Sequence, residues 1–181
     1  LINFIKDTQP KAWEALETIY GANVENSFLT SLTRAIKTHP KGLIGLLRDS
    51  AKGKYKDRGI PIRLFFLKPD NDLNPDAVAN YHKNRLTITR QVKYSTKNNN
   101  SLDVVIDLNG FPIITMELKN PLTGQSYEDA IEQYKKDRDP NEPIFLFNQR
   151  SLVHFAVDPD EVHMTTELKK EKTYFLPFNK G

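Results

Sequence analysis

The 181-residue sequence contains no cysteine, which removes a disulfide scaffold, a thiolate zinc site and a cysteine nucleophile together and points to an intracellular protein. No apolar run approaches the roughly 18 residues a membrane span requires, and the opening LINFIKDTQPKAW lacks a basic-then-apolar leader, so a soluble chain is expected. The eight glycines never form the phosphate cradle G-x-x-x-x-G-K-[ST], so this stretch should not hydrolyse ATP. His39, His82, His154 and His163 show no H-x-x-x-H spacing. Zinc chemistry is therefore set aside, and His154, within an alternating strand, reads as a packing or surface residue. Charge of neither sign dominates: 26 Lys and Arg face 23 Asp and Glu, giving a net charge of +3 and a pI near 8.9. That balance permits an anionic partner without demanding one. The sequence begins at Leu rather than Met and stops at PFNKG, which reads as a piece of something longer.

What is present suffices for a core: 38% of residues are hydrophobic and 10% aromatic, and the length fits one domain spanning 1–181. Residues 1–50 read as helical. KAWEALETIY places Trp13, Leu16, Ile19 and Tyr20 at helical spacing, VENSFLTSLTRAI does so with Phe28, Leu29, Leu32 and Ile36, and KGLIGLLRD follows Pro40 as a third helix. The basic loop AKGKYKDRG leads to IRLFFL, an apolar run of strand length that opens a core over 60–181. KPDNDLNPDAVANYHKN is a polar connection with room for one or two helical turns. RLTITRQVKY, LDVVIDL and FPIITMEL then read as three strands of a meander, and SYEDAIEQYKKDR as a helix with a Ser126/Asp129 capping box. IFLFN, LVHFAV and VHMTT read as closing strands. The expected class is α/β, a mixed central β-sheet flanked by helices behind a helical amino-terminal segment.

The central pair carries the chemistry. Leu102, Val104, Ile106 and Leu108 are apolar at even positions, as are Ile114, Met116 and Leu118 across the turn, so the even face should pack inward. A two-residue Asn-Gly turn would set even positions against odd ones. A three-residue loop, Leu108 to Gly110 with Gly110 left-handed as a G1 bulge, keeps the faces together and sets Asp103 opposite Thr115. Asp103, Glu117 and Lys119 then share the face turned away from the core.

Two carboxylates at close range call for a cation, and hard oxygen ligands suit Mg²⁺, which takes one or two carboxylates and completes its shell with water and phosphate oxygens. A lysine two residues beyond the glutamate can orient an attacking water or neutralise charge at phosphorus, which describes phosphodiester hydrolysis. The spacing D-x13-E-x-K alone is short, and by itself it reads first as a solvated strand face carrying incidental charges.

NRLTITRQVKYS, NNSLDVVIDLNGFPIITMELKNPLTGQSYEDAIEQYKKDRDPNEPIF and LVHFAVDPDEVHMTT resemble the amino-terminal PD-(D/E)xK nuclease domain of the R (restriction and translocation) subunit of type I restriction endonucleases. The resemblance extends to TQPKAWEALETIYGAN and to FLPFNKG, where such subunits run on into a helicase-like motor. It implies a restriction-endonuclease-like fold, Mg²⁺-dependent cleavage of double-stranded DNA, methylation and specificity subunits as partners, ATP used only by the downstream motor, and a cytoplasmic location. Asp103 takes the motif aspartate, Glu117 and Lys119 the E-x-K, and the Leu118 carbonyl a further metal position. Gln133 matches the glutamine of a Q-x-x-x-Y helix motif, where it either reaches the site or caps packing. The motif's tyrosine is absent: position 137 is Asp, and Tyr134 lies on another helical face. An acid from the opening helix of such nucleases is expected ahead of this piece, with Glu25 as a weak substitute. Lys135, Lys136 and Arg138, beside the E-x-K strand, are candidate DNA-backbone contacts, as is the run Lys52, Lys54, Lys56 and Arg58; both runs also read as solvated faces. A nuclease fold kept only for docking to the motor or partner subunits has the same core.

Overall fold

The computed structural model describes residues 1–179; Lys180 and Gly181, the end of the FLPFNKG segment, lie outside them. The chain forms two compact units, Leu1–Leu86 with Leu108–Gly110, and Thr87–Asp107 with the chain from Phe111 onward.

The first unit is built on helices α1 (Ile2–Thr8), α2 (Pro10–Tyr20), α3 (Val24–Thr38) and α4 (Gly42–Ala51). Phe28, Leu32 and Ile36 recur every fourth residue on α3 and are buried, and Trp13 of α2 meets Phe28 edge-on at 5.9 Å. Leu29 and Ile19, counted in the apolar pattern, are exposed. A two-stranded antiparallel pair follows, β1 (Lys56–Asp57) and β2 (Ile60–Pro61), and then α5 (Pro75–His82), capped by the Asn74 side chain, which accepts from the Ala77 amide.

The segment IRLFFL is not a strand. Ile62 and Leu64 are fully buried, but side chains from the helices answer their backbone instead of a neighbouring strand. The Arg63 amide donates to Gln9 Oε1 and its carbonyl accepts from Gln9 Nε2, both at 2.8 Å. Ser50 Oγ accepts from the Leu64 amide at 2.5 Å and donates to the Ile62 carbonyl at 3.2 Å. Asn84 brackets Phe66 in the same way. An apolar run of strand length thus meets the requirement that every buried peptide group be paired without joining a sheet.

The second unit holds the mixed sheet, ordered β3 (Leu86–Lys93), β4 (Ser101–Leu108), β5 (Phe111–Leu118), β6 (Val153–Val157), β7 (Val162–Thr165), β8 (Leu176–Pro177). β5 and β6 are parallel, and β6–β7 and β7–β8 antiparallel. A parallel pair needs a crossover, supplied here by α6 (Tyr127–Lys136). The expected capping box starts it: the Ser126 amide donates to Asp129 Oδ2 at 2.8 Å, while Ser126 Oγ accepts from the Glu128 amide at 3.2 Å. The α/β class and mixed sheet are as expected. IFLFN is not a strand but a short 3₁₀ turn over Pro143–Phe145 that buries Phe145. Among the described residues no helix is long and apolar enough to cross a membrane.

Two expectations about the central pair are overturned. Only Asn109 and Gly110 separate β4 from β5, and both have positive φ, 51° and 87°, the signature of a two-residue turn rather than a three-residue loop with one left-handed glycine. Asparagine tolerates this backbone, and here its side chain is also used: Asn109 Oδ1 accepts from the Arg85 amide and Nδ2 donates to the Leu64 carbonyl. The inward face is also the opposite one on β5. Phe111, Thr115 and Glu117 are buried while Leu118 is exposed, because polar groups on α6 and β6 satisfy Thr115 and one beyond α6 answers one oxygen of Glu117. On β4, Leu102 and Val105 enter the same apolar cluster, so strict alternation breaks between them, next to Asp103.

Ser50→Ala should cost about 1–3 kcal/mol, because it orphans the buried Leu64 amide and Ile62 carbonyl. Denaturant unfolding monitored at Trp13 measures it, and an unchanged midpoint would refute this account of the 62–66 segment.

Candidate active site

Glu117, the penultimate residue of β5, has no exposed surface. A carboxylate there requires a cation, and the chain supplies Arg138, two residues beyond the last residue of α6 and itself buried. Arg138 Nε and one terminal nitrogen reach Glu117 Oε1 at 2.8 and 2.6 Å. The guanidinium also donates to the Ser101 carbonyl at 2.8 Å and lies 5.5 Å from the centre of the Tyr94 ring. Arg138, expected at a DNA-facing surface, is therefore an interior residue. Glu117 Oε2 is also buried and has no hydrogen-bond partner among the described residues. Burial pushes this carboxyl up to about 7 against the pull of Arg138, and the neighbouring Asp103 charge adds to the rise.

Asp103 is held from two sides. Its Oδ2 accepts from the Leu118 amide at 2.8 Å, so a side chain of β4 occupies a backbone donor near the end of β5. Its Oδ1 accepts from Gln91 Nε2 at 2.9 Å. Gln91 sits on β3 with φ of 52°, a left-handed residue inside a strand, and its own Oε1 is fixed by the Ser101 hydroxyl at 3.0 Å. The kink at Gln91 re-aims this side chain, as bulges do beside functional groups.

Lys119 follows the strand and donates through Nζ to Gln133 Oε1 at 2.7 Å. Gln133 thus contacts Lys119 rather than merely filling a packing edge. Its neighbour Tyr134 anchors the helix: the fully buried phenol lies 2.9 Å from Thr115 Oγ1, which lies 2.7 Å from His154 Nδ1. Burial lowers His154 to about 4, so the imidazole is neutral and belongs to the core.

The oxygen donors that could hold a metal are Asp103, the free oxygen of Glu117 and the Leu118 carbonyl. Among the described residues no group of three His, Cys, Asp or Glu side chains is arranged to hold an ion. Two carboxylates suit a cation that keeps most of its water, and the orphaned, buried Glu117 Oε2 is the position such an ion would satisfy. Residues 7–173 match the protein family described as type I restriction enzyme R protein N terminus. The chain belongs to this family. No curated protein and no solved structure matches it.

In this R-protein N terminus, β4, β5 and α6 bring Asp103, Glu117, Leu118, Lys119 and Gln133 together. Lys135 and Lys136 lie 3.8 and 2.7 Å from Glu132, along one side of α6. Glu25 forms a surface pair with Lys6 at 2.7 Å in the first unit. Reading the sequence alone missed Gln91, which carried no signal beyond its polarity in a strand. It also missed the partnership of Arg138 with Glu117, although a buried acid on an inward face would have demanded a nearby cation.

Arg138→Met should destabilise the fold by roughly 3–5 kcal/mol, because it leaves an uncompensated buried carboxylate, while Arg138→Met with Glu117→Gln should recover most of the loss. Equal destabilisation of the single and double variants in denaturant titrations would show that Arg138 acts through packing alone.

Proposed function

We propose that this region is the Mg²⁺-dependent endonuclease part of a type I restriction R subunit, hydrolysing phosphodiester bonds of duplex DNA in a cytoplasmic complex with methylation and specificity subunits, while ATP is consumed by a motor elsewhere in the longer chain. The observation that carries the reading is the unpartnered, buried oxygen of Glu117 beside Asp103, in a site whose lysine is held in place by a helix glutamine. Asp103 and Glu117, with the Leu118 carbonyl, would hold the ion. When bound, Mg²⁺ supplies positive charge to a phosphate oxygen and acidifies water. Lys119, fixed by Gln133, presents an ammonium that can orient the attacking water and offset negative charge as the new P–O bond forms and the leaving oxygen departs. Arg138 and Tyr94 keep Glu117 in place without facing the substrate. Lys136, exposed on α6 and paired with Glu132, would follow a phosphate backbone in this reading.

One observation favours a second reading, a nuclease fold retained for docking: Arg138 already occupies one oxygen of Glu117. The two readings part in a plasmid-nicking assay with the complete restriction complex, ATP and Mg²⁺. Under the nuclease reading, Asp103→Asn and Glu117→Gln each lower nicking by roughly 100-fold or more while ATP hydrolysis is unchanged. Wild-type cutting by both variants would assign the chemistry elsewhere and leave the docking role.

Lys119→Arg should lose most of the cleavage. Guanidinium keeps the charge but has a planar shape, gives up no proton near neutrality, and presents its donors in a fixed fork where the compact ammonium meets Gln133 Oε1. Near-normal nicking by this variant would mean that a diffuse positive potential is enough.

A further inference from the structure

The basic run noted in the sequence around Lys56 and Arg58 is more than a charged loop. In the first unit it forms one wall of an open, polar pocket of 640 Å³, whose facing wall is α3 and includes Arg34. Neither Arg34 nor Lys56 has a side-chain hydrogen-bond or ion-pair partner among the described residues, and both are exposed. Arg58 is held. Its backbone has φ of 50°, a left-handed conformation that a non-glycine residue adopts at a cost. Its guanidinium lies 5.5 Å from the centre of the Tyr20 ring, and Nε donates to the Tyr20 hydroxyl at 3.3 Å. The same hydroxyl lies 3.1 and 3.2 Å from the two oxygens of Asp57, and Ser31 Oγ donates to Asp57 at 2.5 Å. Asp57, almost fully buried, thus has its charge answered by hydroxyls on α2 and α3, and these tie the β1–β2 pair to the helices.

Two unpaired cations and a braced third, converging on a hydroxyl- and amide-lined pocket, describe a receptor for a phosphate-bearing anion. We propose that this pocket binds the phosphodiester backbone of duplex DNA, giving the R-protein N terminus a sequence-independent contact separate from the carboxylate site. The choice of DNA rests on the nuclease reading above. It is also favoured by Lys52 and Lys54, exposed and adjacent in sequence to this wall, which extend the positive charge beyond what a single mononucleotide would need.

The test is binding of a fluorescently labelled 30-base-pair duplex to the full-length R protein across a sodium chloride series, in a Glu117→Gln background so that no cleavage interferes. Arg34→Gln with Lys56→Gln removes two cations that hold nothing in the fold. Affinity near 150 mM salt should fall roughly 10- to 30-fold, and the slope of log K against log salt should flatten by about two. Lys11→Gln with Lys37→Gln removes the same charge elsewhere on the helices and should change neither by a comparable amount. Unchanged affinity and slope in the pocket variant, or an equal loss in the control, overturns the proposal. Competition by thymidine monophosphate at micromolar concentration overturns the DNA assignment in favour of a small phosphate ester. A nuclease-dead Glu117→Gln protein that keeps full affinity, beside a pocket variant that loses it, separates this contact from the chemistry.

Discussion

A carboxylate cut off from water must be answered by positive charge, and in this protein the answer to Glu117 is Arg138. The arrangement of the sheet around it follows from that pairing. Because the arginine comes from just beyond α6, the helix must end beside the end of β5. Because Nη2 also takes the Ser101 carbonyl and Nη1 takes the Tyr94 hydroxyl, the starts of β4 and of the loop after β3 are drawn to the same point. Only one oxygen of Glu117 is satisfied in this way. The other is buried without a partner among the described residues, an arrangement that costs stability.

The sequence made the helices, the capping box of α6 and most of the strands legible, since each rests on local pattern: a four-residue repeat at Phe28, Leu32 and Ile36, or Ser126 three residues before Asp129. It misled where the pattern was apolar but the hydrogen bonds were not local. IRLFFL has the composition of a strand, and nothing in those six residues announces that Gln9, Ser50 and Asn84 will pair its backbone. The inward face of β5 was misjudged for a related reason. Ile114, Met116 and Leu118 look like the core side until Thr115 and Glu117 are seen to be satisfied by Tyr134, His154 and Arg138, which lie between 19 and 39 residues further along.

The candidate site was legible as residues but not as geometry. Its spacing was expected to come from a three-residue loop, yet the turn has two residues. Asp103 meets the end of β5 through its side chain, by taking the Leu118 amide, beside an irregularity in β4 that strict alternation could not foresee. The same side chain is steadied by Gln91, whose left-handed backbone inside a strand leaves no trace in composition.

The row of Tyr134, Thr115 and His154 has a consequence for where the lysine stands. One hydroxyl from the helix meets one hydroxyl from β5 and one imidazole from β6, and with so few protons between them the donors must all run in one direction along the row, which ties this turn of the helix to both strands. Gln133 is the next residue around the helix axis, about 100° away. The row therefore helps set the heading of Gln133, and through it the position of the Lys119 ammonium, from inside a core that solvent does not reach.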